Sequence, residues 1–234
     1  LALLSMNIKR GDIVISPVIN FIASANISEN LGAKLYFADV DRYTGQMTPE
    51  TLLACIKKNR LNKIKAVITM YNAGDPLHAE EFYKIKKKYK FYLMEDACHA
   101  LGGKYHSSIK NYVGSCKFSD ISIFSFHPVK TITTCEGGMI TTNNKSLYNK
   151  IKIIRNHGMI RKKTNKSSYF WKYKIVYPGY NYRLSDVNCS IGISQLKRID
   201  KIVTARRKIA SSYVKKLNYL KEYITLPKIH TNKS

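Results

Sequence analysis

The sequence predicts an α/β fold: a mostly parallel sheet with helices on both faces, an α/β/α sandwich. Three observations carry this. Short runs rich in β-branched and aromatic residues alternate with segments whose apolar residues recur at helical spacing. A strand–helix–strand series of this kind builds a parallel sheet, because each crossover helix covers the sheet it bridges. The length, 234 residues, suits one large domain.

Residues 1–6 read as the end of a helix. Strands are predicted at 12–16, 34–40, 66–72, 91–97, 120–126 and 139–142. Helices fall between or after them at 49–58, where Thr48 and Pro49 mark the start, at 79–89 behind Pro76, and at 145–156. From Ser185 the pattern becomes long and helical, through Gln195, Leu196, Ile199, Ile202, Ile209 and Tyr213. Sheets of this class gather their ligands at the carboxyl ends of the strands, so function is expected there.

Composition narrows the field. The chain is 44% apolar and holds 17 Tyr, too much burial potential for a disordered chain. No apolar run approaches the roughly 18 residues that span a bilayer. The opening Leu1–Leu4 run is too short for a signal-peptide core, and its basic residues follow it instead of preceding it. Five cysteines, an odd number with no C-x-x-C among them, indicate neither a disulfide framework nor a zinc site and suit a reducing cytoplasm. The formal net charge of +25 is unevenly spread. Residues 141–234 carry 22 Lys plus Arg against 3 acids. Clustered cations can serve nucleic-acid binding. The abundance of Lys, Asn, Ile and Tyr together is instead the signature of an AT-rich genome and is preferred as the explanation; an anionic substrate near the C-terminal part also suits the charge.

Two strand ends stand out: Tyr92-Leu93-Met94-Glu95-Asp96-Ala97-Cys98-His99 and Ser122-Ile123-Phe124-Ser125-Phe126-His127-Pro128-Val129-Lys130. Each places polar groups where the apolar run stops. In the first, a period of two sets Asp96 and Cys98 on one side, with His99 just beyond. In the second, Ser125 can donate to an anion, and Pro128 keeps His127 out of regular helix and so shapes the turn that presents Lys130. A lysine amine attacks carbonyls once its environment lowers its pKa, and pyridoxal phosphate enzymes pair such a lysine with an Asp at the pyridinium nitrogen. Taken singly, a strand-end Asp is more often a cap and a Lys more often surface; Phe21 would be core, Ser125 a local backbone partner and His99 a satisfied buried histidine. The order and neighbours of these residues shift that balance. The pair Gly137-Gly138 adds a tight turn before a new strand. Gly102-Gly103-Lys104-Tyr105 lacks the earlier Gly and the Ser or Thr of a phosphate-binding P-loop, and no G-x-G-x-x-G follows the first strand.

Five stretches, in order, resemble the DegT/DnrJ-type sugar-nucleotide aminotransferases of the aspartate aminotransferase group (fold type I). They are Asn20-Phe21-Ile22-Ala23-Ser24-Ala25-Asn26, Glu95-Asp96-Ala97-Cys98-His99-Ala100-Leu101-Gly102, Ser125-Phe126-His127-Pro128-Val129-Lys130, Glu136-Gly137-Gly138 and Gly179-Tyr180-Asn181-Tyr182-Arg183-Leu184-Ser185-Asp186. The likeness is greatest to the PseC type, which aminates a UDP-linked keto-deoxy sugar on the route to pseudaminic acid. The resemblance implies pyridoxal 5'-phosphate as cofactor and a nucleotide sugar with glutamate as substrates. It implies Lys130 as Schiff-base lysine and proton shuttle, Asp96 at the pyridinium nitrogen and His99 near the ring hydroxyl. Phe21 would stack on one ring face, Cys98 would pack against the other, and Ser125 would contact the phosphate. Asn181 would reach the phosphate of the neighbouring subunit's site, which implies a homodimer.

The resemblance also implies a seven-stranded-type large domain lacking its first strand. Residues 1–200 would form the cofactor-binding domain, and 201–234 a linker helix and the start of a small C-terminal domain. A strand and a Gly-Thr turn that hold the cofactor phosphate would precede the position of Leu1, so the chain reads as part of a longer one. Cys135 stands where the PseC-type motif has Gly. Two other readings compete: a catalytically inactive remnant of the family, and a basic protein that binds nucleic acid or an anionic surface.

Overall fold

Residues 1–105, 108–161 and 171–227 are described by a computed structural model. After α1 (Ala2–Ser5) come β1 (Ile13–Pro17), α2 (Ala23–Asn30), β2 (Lys34–Ala38), α3 (Pro49–Lys58), β3 (Ile64–Met70), α4 (Ala79–Tyr89) and β4 (Tyr92–Asp96). The chain continues through β5 (Lys104–Tyr105), β6 (Ser108–Tyr112), β7 (Ile121–Ser125), β8 (Gly138–Thr141) and α5 (Lys145–Ile154). It then forms β9 (Met159–Ile160), β10 (Lys174–Ile175), α6 (Asp186–Leu196) and α7 (Ile199–Leu217).

Among the described residues six strands form the central sheet, in the order β2-β1-β3-β4-β7-β8. All neighbours run parallel except β7 and β8, which pair antiparallel with Ser125 opposite Gly138. Alternation along the inner strands shows why both faces are covered. Val14, Ala66, Ile68, Met94 and Ile121 join Leu3 of α1, Met6 at its end and Leu147 of α5 in one core. Their neighbours Ile15, Val67 and Leu93 join Leu52 and Ile56 of α3 and Phe82 of α4 in another. Strands whose successive side chains are all apolar can be satisfied only by helices on either side.

The helices follow their local chemistry. Thr48 Oγ1 accepts the Thr51 N–H at 3.3 Å while Thr51 Oγ1 accepts the Thr48 N–H at 2.9 Å, so both residues close the start of α3, and Pro49 stands where no N–H is needed. Glu50 in its first turn and Lys57 and Lys58 in its last complement the helix dipole. A third core holds Tyr71, Tyr105, Phe118, Phe124, Phe126 and Ile132, with Ile199 and Ile202 of α7 packed against it.

The six predicted strands and the helices at 49–58 and 79–89 are present. Three points differ. Helix α2 was not foreseen, because its sequence is polar and carries little apolar periodicity. Strands β5, β9 and β10, of two residues each, are too short to register in sequence, and the five residues of β6, Ser-Ile-Lys-Asn-Tyr, are mostly polar. The long helix expected from Ser185 breaks at Lys197–Arg198 into α6 and α7. Residue 201 falls in the first turn of α7, and 228–234 of the expected small-domain segment lie outside the described residues. Among the described residues no helix is long and apolar enough to cross a membrane.

Candidate active site

The chain passes from β1 to β2 on one side and then returns to place β3 on the other. Such a reversal leaves a crevice beyond the strand ends, because neighbouring connections diverge to opposite faces. A cavity of about 690 Å³ lies there. Its walls come from the segment after β1 (Asn20, Phe21), the ends of β4 (Asp96, Cys98, His99) and β7 (Ser125), and the following turn (Lys130). Apolar side chains from the strands, among them Met70, Met94 and Ile123, complete the lining.

Asp96 is the last residue of β4 and is anchored on both sides, paired in register with Met70 of β3 and Ile123 of β7. It is 7% exposed, and its Oδ1 accepts the Cys98 N–H at 3.1 Å. Burial, then the negative charge of Asp96, pushes the Cys98 thiol up, so it stays a neutral packing group. Burial and the nearby Lys130 cation hold His99 below the usual imidazole range despite the opposing pull of Asp96. His99 is therefore neutral at pH 7 and offers one donor and one acceptor.

The Lys130 turn forms as the sequence suggested. The Lys130 N–H donates to the His127 carbonyl at 2.9 Å across Pro128. Ser125 Oγ accepts the His127 N–H at 3.4 Å and faces the cavity beside it. Phe21 is 74% exposed, so it belongs to no core; its N–H is held by Asn20 Oδ1 at 2.7 Å, and Asn20 Nδ2 is tied to Ser24 Oγ at 3.0 Å. The Phe21 ring therefore stands as an exposed apolar surface on the wall of the cavity.

Six of the seven expected site residues thus meet at one cavity: Lys130, Asp96, His99, Ser125, Phe21 and Cys98. Asn181 does not line it and instead forms an isolated antiparallel bridge with Asn156. Sequence reasoning missed Glu95, whose buried carboxylate accepts hydroxyls from Tyr71, Tyr105, Ser119 and Ser122 behind the site. It also missed Arg206, which reaches the Lys130 carbonyl at 3.2 Å from α7. Neither has a local signal, because the partners lie far apart along the chain.

The glycine pair does more than turn the chain. A Cβ on Gly138 would stand 2.5 Å from the Phe124 carbonyl, so a side chain there would push β8 off β7. Cys135, two residues before Gly137, sits in the left-handed region at φ 66, a conformation that favours glycine. Its substitution by Gly should relieve that strain and raise stability by about 0.5–1 kcal/mol, read as a higher urea midpoint at constant slope.

The sequence model of the DegT/DnrJ/EryC1/StrS aminotransferase family matches residues 1–234. The chain is 40% identical over 215 residues to the UDP-4-amino-4,6-dideoxy-N-acetyl-β-L-altrosamine transaminase of Campylobacter jejuni strain 81-176, covering 92% of this chain and 54% of that protein. It is 37% identical to the GDP-perosamine synthase of Escherichia coli O157:H7, covering 94% and 56%. Among solved structures, Helicobacter pylori PseC, an aminotransferase of pseudaminic acid biosynthesis, superposes with a TM-score of 0.80 at 30% identity, covering 92% of this chain and 55% of that one. The chain spans about half the length of the curated relatives it matches. Matched by the family's model along its whole length, and with Asp96, His99, Ser125 and Lys130 of its motifs gathered at a single cavity, this chain belongs to the DegT/DnrJ/EryC1/StrS family, whose aminotransferases depend on pyridoxal phosphate.

Proposed function

We propose that this chain is the cofactor-binding part of a pyridoxal-phosphate-dependent aminotransferase that moves an amino group from glutamate to a keto-deoxy nucleotide sugar, with a UDP-linked sugar as acceptor. One observation carries the reading: an acid at the end of β4, Asp96, and a lysine in the turn after β7, Lys130, line the same cavity. The residues fit the group. The cavity is within the range that takes ligands of this size, about 300–1,000 Å³. It offers a stacking ring, a buried carboxylate, a neutral imidazole and a hydroxyl.

When bound, pyridoxal phosphate supplies an electrophilic carbon and a protonated ring that withdraws electrons from the carbon being deprotonated. Lys130 Nζ would hold the cofactor and, once displaced by the donor amine, take up the proton that leaves the donor's α-carbon. Asp96 would hold the ring nitrogen in its protonated form. His99, being neutral, would hydrogen-bond the ring hydroxyl without setting a second cation beside Lys130. Phe21 and Cys98 would pack the two ring faces, and Ser125 would donate to the phosphate. Asn181 would act across a homodimer interface; the exposed apolar residues Val187, Leu196 and Ile209 on α6 and α7 support a covering partner. The acceptor class is supported by the names of the relatives at 40% and 37% identity, both of which work on sugars.

The test is the purified chain mixed with pyridoxal phosphate. A visible absorption band should appear, glutamate should bleach it, and 2-oxoglutarate should be released in equal amount. A UDP-linked 4-keto-6-deoxy sugar should then restore the band, and its GDP counterpart should do so poorly. A folded chain that gives no band, or a band that no amino donor alters, would overturn the proposal.

A further inference from the structure

Residues 126–137 join β7 to β8 and carry Lys130. A connection of this length on a protein surface ordinarily moves, because few of its backbone groups are held. Here three side chains from α6 and α7 reach across to its main chain. Asn188 Nδ2 donates to the Thr134 carbonyl and, at 3.3 Å, to the Glu136 carbonyl. Gln195 Oε1 accepts the Thr133 N–H at 3.1 Å. Arg206 donates to the Lys130 carbonyl at 3.2 Å.

The packing agrees with the hydrogen bonds. Asn188 and Gln195 are two helical turns apart on α6, so they present one face to the segment. Gly192 lies on that face, and a Cβ there would stand 2.8 Å from Thr134 Cγ2; its absence lets the helix approach. Ile132 is buried in the third core, against which Ile199 and Ile202 of α7 also pack. None of Asn188, Gln195 and Arg206 lines the main cavity.

We infer that α6 and α7 form a brace that fixes where the Lys130 amine stands, with Asn188, Gln195 and Arg206 as positioning residues acting through the backbone of residues 130–136. This rests on the reading of Lys130 as the cofactor's attachment point. Catalytic groups held by charged or amide side chains on rigid helices keep their geometry, whereas a loop alone would let the amine wander.

The experiment uses the chain with Asn188→Ala, Gln195→Ala, Arg206→Ala and Arg206→Lys, and two readouts. The first is amide hydrogen exchange without cofactor. Exchange at Thr133 and Thr134 should quicken about tenfold in the alanine variants, while β3 and β4 keep their protection. The second is borohydride trapping of pyridoxal phosphate on Lys130, located by peptide mapping. Its rate should fall about fivefold, the pH midpoint of the visible band should move, and Arg206→Lys should recover most of both. Should an alanine variant lose sheet protection as well, Gln195→Met and Arg206→Met, which keep the length of the side chain and remove its polar group, serve in its place.

Unchanged exchange in residues 127–136 would show that no brace exists. Faster exchange with trapping and midpoint unaltered would show that the brace does not set Lys130. Trapping on lysines other than Lys130 in the unaltered chain would overturn the attachment reading instead, and leave exchange to judge the brace.

Discussion

Lys130→Ala is expected to leave the chain folded while abolishing borohydride-stable attachment of pyridoxal phosphate, and to lower amino transfer by about 10²–10⁴-fold. The fold is spared because what secures this position is backbone. The Lys130 N–H donates to the His127 carbonyl and the Lys130 carbonyl accepts from Arg206, and alanine keeps both groups. The side chain itself lines the cavity and belongs to none of the three cores. What alanine removes is the amine that, in the proposed chemistry, would hold the cofactor and carry the proton. Circular dichroism should therefore match the unaltered chain, and added methylamine should restore part of the rate by supplying a free amine. An alanine variant that still traps the cofactor would place the attachment on another lysine and remove the main support for the proposed chemistry.

The site was legible in sequence where chemistry and local pattern coincide. Asp96, Cys98 and His99 close an apolar strand run, and Ser125 ends another with Lys130 five residues beyond, so these strand ends could be read as cavity-facing before any fold was known. Helix α3 was legible for a similar reason: Thr48, Pro49 and the closing lysines are neighbours along the chain. Helix α2 was not, since its place depends on contact with the sheet and its own eight residues are mostly polar. The break at Lys197–Arg198 was hidden because nothing in those residues forbids helix. Hidden most deeply were the long-range polar contacts. Arg206 lies 76 positions from Lys130, and Gln195 lies 62 from Thr133. No periodicity links residues so far apart; only the packing of α6 and α7 against the loop does. The Cys135 position lies between these cases. Its neighbour glycines announced a turn, yet that the backbone there is left-handed appeared only in three dimensions.

Glu95 gives the largest stability effect expected from one side chain. It is 1% exposed in the middle of the sheet, and its carboxylate accepts the Tyr71 hydroxyl at 2.6 Å, the Tyr105 hydroxyl at 2.9 Å, the Ser119 hydroxyl at 2.9 Å and the Ser122 hydroxyl. Glu95→Ala would leave these hydroxyls without their acceptor and open a void, at a cost of about 3–5 kcal/mol, measured by urea unfolding. Glu95→Gln keeps the volume and one acceptor oxygen, and should cost less. The pH dependence separates charge from shape. Burial raises the Glu95 carboxyl above its ordinary value of 4.5, outweighing the hydroxyl donors that favour the anion. Between 4.5 and that raised value the folded chain binds more protons at this site than the unfolded chain does. The contribution of this shift is thus complete below 4.5 and is lost as pH climbs through the folded value. Glu95→Gln has no proton to lose, so across that window the unaltered chain should lose stability relative to the variant. Parallel curves would mean that the carboxyl titrates alike in both states. Asp96, the next residue of the same strand, faces the cavity, while Glu95 is sealed behind it. Adjacent acids of one strand are therefore placed differently, Asp96 on the wall of the cavity and Glu95 tying the segments around β4 together through four hydroxyls.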